Sequence, residues 1–137
     1  MKLEFNFASV IVGIVGYAFG GWTLALQTLV FVMCFDYITG LFAAKKKKSN
    51  KSKSGGLSSK AGFKGILKKL FILGCCSVAY RMDILLNASG LLYNAVVCFY
   101  IGNDVISVLE NLVAAEIKIP KKLQSIAEAM KEEADES

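Results

Sequence analysis

From residue 7 to residue 117 the chain is a succession of apolar runs divided by short polar breaks. Phe7 to Gly21 is the first run, and Gly20-Gly21 predicts the turn that ends it. At ~1.5 Å per residue this run reaches only ~22 Å against a hydrocarbon core of ~30 Å, so it spans by including Phe5 and Trp22 or by local thinning. Trp22 to Ala44 is the second run, of membrane-crossing length with some tilt. Residues 45–60, KKKKSNKSKSGGLSSK, cannot bury apolar surface and predict a solvated loop. Ala61 to Arg81 predicts a short third span built on Leu70 to Tyr80, with Lys64, Lys68 and Lys69 snorkelling; the alternative is a helix lying in the interface. Arg81-Met82-Asp83 predicts a tight polar turn, and Ile84 to Ile101 a fourth span.

Past Gly102 the pattern changes. Val105, Leu109, Leu112 and Val113 recur at helical spacing, which predicts an amphipathic extension of the last span. Pro120 marks a break or a helix start. Leu123, Ile126, Ala127 and Met130 form a further apolar stripe before a charged tail from Lys131.

The expected fold is therefore an all-α integral membrane protein with about four transmembrane helices in two hairpins. Residues 1–44 form the N-terminal hairpin and 45–60 the lysine-rich cytoplasmic loop. Residues 61–117 form the second hairpin with its amphipathic extension, and 118–137 a cytoplasmic amphipathic helix with a charged tail. Short of a strong positive n-region and a small-residue cleavage site, the first segment does not read as a removable signal peptide.

Charge sets the orientation. Ten of the sixteen basic residues fall between 45 and 69, without an acidic residue among them, although the net charge is only +5. Lys45, Lys46, Lys47, Lys48, Lys68 and Lys69 thus mark the cytoplasmic side and favour an anionic membrane surface, each nearby lysine contributing roughly 1 kcal/mol. Four spans then place both termini in the cytoplasm and put Lys118, Lys121 and Lys122 on the favoured side. The lysine tract lacks the aromatic interleaving of a nucleic-acid surface, so no nucleic-acid partner is expected. Hydrophobic residues make up 55% of the chain, and mean hydropathy is +0.51, above what a soluble domain of this length carries.

Candidate chemistry is sparse. There is no histidine, no phosphate-binding loop and no paired nucleophile and base, so no enzyme activity and no cofactor are expected. Cys34, Cys75, Cys76 and Cys98 lie in apolar runs without a C-x-x-C and read as small hydrophobes rather than metal ligands. The exceptional residue is Asp36, about 12 Å inside the end of the second run. An intramembrane carboxylate is a functional hypothesis by default. Thr39 and Gly40 share its helix face. That face either lines an aqueous path between subunits or pairs with Lys68 or Lys69; the two are compatible. Gly16-x-x-x-Gly20 allows close helix approach, between copies or within one monomer, and Asn87, Ser89 and Asn94 supply hydrogen bonds between helices.

Asp36-x-x-Thr39-Gly40, the lysine-rich linker, and Ser58-Ser59-Lys60-x-Gly62-x-x-Gly65-x-x-Lys68-Lys69 together resemble the bacteriophage holins of the toxin-secretion/phage-lysis family. Glu110-Asn111 followed by Ile119-Pro120-x-x-Leu123 is similar to that family's ending, so the likeness runs from about residue 7 to 126. The resemblance implies a protein of the bacterial cytoplasmic membrane that homo-oligomerises and opens lesions. An endolysin or toxin then crosses, without necessarily touching it. An antiholin or a small channel or accessory subunit is the alternative. The device of a second start codon is not supported, since the next methionine, Met33, lies inside a span.

Overall fold

The computed structural model describes residues 6–46 and 59–136, and every described element is helical. The helices are α1 (Phe7–Phe19), α2 (Leu24–Lys45), α3 (Ser59–Leu86), α4 (Leu91–Ala114) and α5 (Lys121–Glu136). α2 and α4 are long and apolar enough to cross a membrane, while α1 is apolar but shorter. Lys47 and Lys48, with most of the predicted loop, lie outside the described residues, as do the side chains of Ala127 and Met130.

Local chemistry sets the boundaries. Asn6 caps α1, its side chain accepting from Ala8 N–H, and Gly20 closes the helix in the left-handed conformation. Thr23 caps α2 by accepting from Leu26 N–H. Pro120 precedes α5 directly, as a residue that cannot donate an N–H is best placed.

The predicted turn at 81–83 is a correction: those residues lie inside α3, which runs on to Leu86, and α4 begins at Leu91 rather than Ile84. The two charges there are satisfied by neighbouring helices. Arg81 stacks 3.8 Å over the Tyr17 ring and donates to the Tyr17 carbonyl. Asp83 accepts backbone N–H bonds from Leu92 and Tyr93. The real turn is Asn87 to Gly90, where Asn87, Ser89 and Gly90 all take positive φ.

α2 and α4 pack side by side and in the same direction. Lys46 Nζ donates to the Ala115 carbonyl at one end (3.1 Å), while Thr23 and Tyr93 share a cleft at the other. α3 runs opposite to both. α1 packs on α3, held by Ser77 Oγ donating to the Ala18 carbonyl and by Arg81. It packs little on α2, so the arms of the first predicted hairpin each meet α3 more than they meet one another. None of its residues is buried.

The interior is a set of narrow seams. On α3 it consists of Gly62, Gly65, Lys69, Ile72, Cys76, Ala79 and Asp83, alternating three and four apart. Leu29, Met33, Ile72, Cys76, Tyr93 and Val97 form the apolar core. Large apolar side chains such as Phe31, Phe71, Val78 and Phe99 point outward, each more than 60% exposed. This reverses the usual arrangement of a globular domain. The helix of the last span does continue past Gly102, to Ala114, and there the face turned inward is Asp104, Val108 and Asn111, while Val105 and Val113 are exposed.

Candidate functional site

Towards the lysine-bearing end of the bundle the seam turns polar. Asp36, Thr39, Asp104 and Asn111 are each buried to 7% exposure or less. Lys69 reaches in from α3 and donates to Asp36 and to Asp104 Oδ2 (3.0 Å), joining three helices through one ammonium. Asn111 Nδ2 lies 3.1 Å from Asp36 Oδ1, 3.2 Å from the Asp36 carbonyl and 3.2 Å from Thr39 Oγ1. The Thr39 hydroxyl donates back to the Phe35 or Asp36 carbonyl, 2.9 and 3.0 Å away. Removing one partner from such a buried pair costs about 3–5 kcal/mol, because the other charge is left uncompensated.

The backbone provides the room for this cluster. The Tyr37 side chain lies over Gly62 and Gly65, where an added Cβ would come within 3.3 Å of its hydroxyl oxygen and 3.6 Å of its ring, respectively. Small residues there let α3 approach α2 so that Lys69, one turn further on, reaches Asp36. Gly40, on the Asp36 face of α2, is half-buried.

The other sequence candidates are dispersed. Lys68 is exposed on the outside of α3, whereas the half-buried Lys69 beside it turns inward to Asp36 and Asp104. Lys45 and Lys46 are exposed at the end of α2. Gly20 is the left-handed cap of α1 and a point of close approach within the monomer: a Cβ there would lie 2.6 Å from the Tyr80 ring of α3. Gly16 faces open space. Asn87 and Asn94 do not bridge spans in mid-helix. They border a cleft of about 540 Å³ at the opposite end from the lysines, with Thr23, Tyr80, Asp83 and Tyr93.

Asp104, Lys69's second partner, and Asn111's role escaped the sequence reading, although the α3 spacing that leads to Lys69 and a 104–108–111 spacing on α4 are both present in the sequence. Among the described residues no three His, Cys, Asp or Glu side chains gather as a metal ion requires. The cluster holds helices together; it offers no nucleophile and base for bond-breaking chemistry.

Several bacterial proteins are similar to this chain. A protein of Listeria monocytogenes is 40% identical over 82% of this chain and 76% of its own length. One from Halalkalibacterium halodurans is 33% identical over 90% of both chains. A 14.9 kDa Clostridium perfringens protein, described by its position in the nagH 3' region, is 38% identical over 79% of this chain and 77% of its own. All three are described as uncharacterized. No solved structure matches. The bacteriophage holin family, which is not an enzyme family, matches residues 13–132, and the chain belongs to it.

Proposed function

We propose that the protein is a holin that accumulates in the bacterial cytoplasmic membrane, homo-oligomerises and opens lesions through which an endolysin or toxin leaves. The observation that carries this reading is the inverted surface. Aspartate, threonine and asparagine are buried between helices whose large apolar side chains face outward. In water that arrangement exposes apolar area at roughly 25 cal/mol per Å²; in a bilayer it is the favourable one.

All four of α1 to α4 span in this reading. α3, with 28 residues, is about 42 Å long and carries its inward charges on the seam. α1, with 13, is about 20 Å long and crosses with its flanking residues and local thinning. The lysine end faces the cytoplasm, with both termini. There Lys45 and Lys46 meet anionic headgroups, and α5 lies at the surface through Leu123 and Ile126. Asp36, Thr39 and Asn111 serve as packing residues that keep each monomer a unit, and Gly16 offers a close-approach point to a second copy.

The test is induced expression in a bacterium whose cytoplasm holds a folded reporter enzyme. Membrane potential and release of the reporter across the membrane are followed together. Loss of potential with release supports the reading. Loss of potential with the reporter retained replaces it with a small channel. Stable insertion without either change replaces it with an antiholin.

A further inference from the structure

One polar surface of the bundle is not explained by packing. Lys64 and Lys68 are exposed one turn apart on α3, flanking the seam rather than filling it. Asn103 and Ser107 stand one turn apart on α4, Asn103 exposed and Ser107 half-exposed. The two flanks face the same groove. Cys75 lies one heptad above Lys68 on α3, Tyr100 one heptad above Ser107 on α4, and the two lie against each other. α1 packs on another side of α3, through Ser77 and Arg81.

Depth makes this groove notable, given the four-span reading on which the inference rests. Lys69 meets Asp36, which stands nine positions before Lys45 (45 − 36), about 14 Å up α2. Half of a ~30 Å hydrocarbon core is about the same depth. Lys68 and Asn103 adjoin Lys69 and Asp104, so both sit near the midplane. The four-carbon stem of a lysine is too short to carry its ammonium from there to the headgroups. A charged side chain at the bilayer centre is placed against protein or water, not acyl chains.

We infer that the α3/α4 flank bearing Lys64, Lys68, Asn103 and Ser107 lines the aqueous path of the assembled protein. The path is then cationic towards the cytoplasm and favours small anions and acidic protein surfaces. The buried Lys69 cluster stays closed in this arrangement. Water meets an outer flank of an intact monomer, and the monomer does not turn inside out.

The experiment uses the full chain in bacterial membranes, with Cys34, Cys75, Cys76 and Cys98 replaced by alanine. Single cysteines are then introduced as Lys68→Cys, Ser107→Cys, Leu67→Cys and Lys45→Cys and treated with a charged, membrane-impermeant thiosulfonate. A thiol in water forms the reactive thiolate and one in hydrocarbon does not, so Lys68→Cys and Ser107→Cys are expected to react roughly tenfold or more faster than Leu67→Cys. Lys45→Cys reports that the reagent reached the cytoplasmic end. Protection at 68 and 107 with labelling at 45 overturns the inference and assigns the groove to a protein contact. Reporter release is scored on the same cells, so failure of the holin reading is seen separately. A second variant keeps the native cysteines. Lys68→Glu in planar bilayers is expected to move the reversal potential in a salt gradient towards cation preference, and an unchanged potential counts against the lining role.

Discussion

Lys69 on α3 donates to Asp36 on α2, and the same ammonium reaches Asp104 on α4. One residue therefore ties three helices, and the pair is separated by 33 positions in sequence. The carboxylate that looks most out of place in the apolar second run is the residue around which the interior is organised.

Removing either side of that pair should be worse than removing both. Asp36→Leu leaves Lys69 with one carboxylate and removes one of Asn111's three acceptors, the side-chain oxygen, and Lys69→Leu leaves two buried aspartates. Each is expected to cost about 3–5 kcal/mol. The double variant Asp36→Leu/Lys69→Leu should recover part of the loss, because the ion left unpaired is gone, while Asp104 keeps the recovery incomplete. Reversible unfolding in mixed detergent micelles measures all three. Additive losses would show that the two side chains are not coupled.

Asp83 carries a second, independent connection. α4 starts at Gly90 without a side-chain cap of its own, and Asp83 of α3 takes the N–H groups of Leu92 and Tyr93 instead. Asp83→Ala should destabilise by about 1–3 kcal/mol through two unsatisfied donors. Asp83→Asn keeps one acceptor oxygen and should lose less. Amide hydrogen exchange at Leu92 and Tyr93 locates the effect: faster exchange confined to the first turn of α4 is expected, and uniform acceleration along the helix would refute a local cap.

The two glycines of Gly16-x-x-x-Gly20 should behave differently. Gly20 has φ +78° and a Cβ there meets Tyr80, so Gly20→Ala is strained twice, at about 1–2 kcal/mol for the backbone alone. Gly16 is helical with open space around it, and Gly16→Ala should raise monomer stability by roughly 0.5–1 kcal/mol. Gly16→Leu then separates the roles. If α1 meets a second copy through Gly16, this variant keeps the monomer's unfolding midpoint and loses cross-linked oligomers in membranes. Unchanged cross-linking would remove Gly16 from the assembly surface.

Much of this was legible in the sequence. The apolar runs gave the helices, Gly20-Gly21 the first turn, and the isolated Asp36 drew attention to its lysine partners. The turn of the second hairpin falls at 87–90 rather than 81–83, because Arg81 and Asp83 only look like a polar turn along the chain. Only tertiary contacts, Tyr17 for one and the start of α4 for the other, make them tolerable in mid-helix. The helical extension past Gly102 is legible, but its inward face is not: Val105 and Val113 face outward while Asp104 and Asn111 take the seam. In a chain surrounded by lipid, the polar and small residues at alternating spacings of three and four are the better guide to the interior.

That guide gives the last prediction. Gly62 and Gly65 continue the α3 seam towards the lysine end, and the Tyr37 ring fills the space their missing side chains leave. Gly62→Leu should push α3 away from α2, weaken the Lys69–Asp36 bond and destabilise by about 1–3 kcal/mol, the usual range for overpacking. Tyr37→Ala alone should also destabilise, by leaving a void over two glycines. Combined, the leucine can occupy the space the ring vacated, so the double variant is expected to be more stable than the sum of the single losses. The cycle is read by unfolding in detergent and, independently, by cross-linking a cysteine pair placed at Tyr37 and Gly65. A strictly additive cycle would mean that ring and glycine do not meet in the membrane, and that the α2–α3 approach positioning Lys69 has another cause.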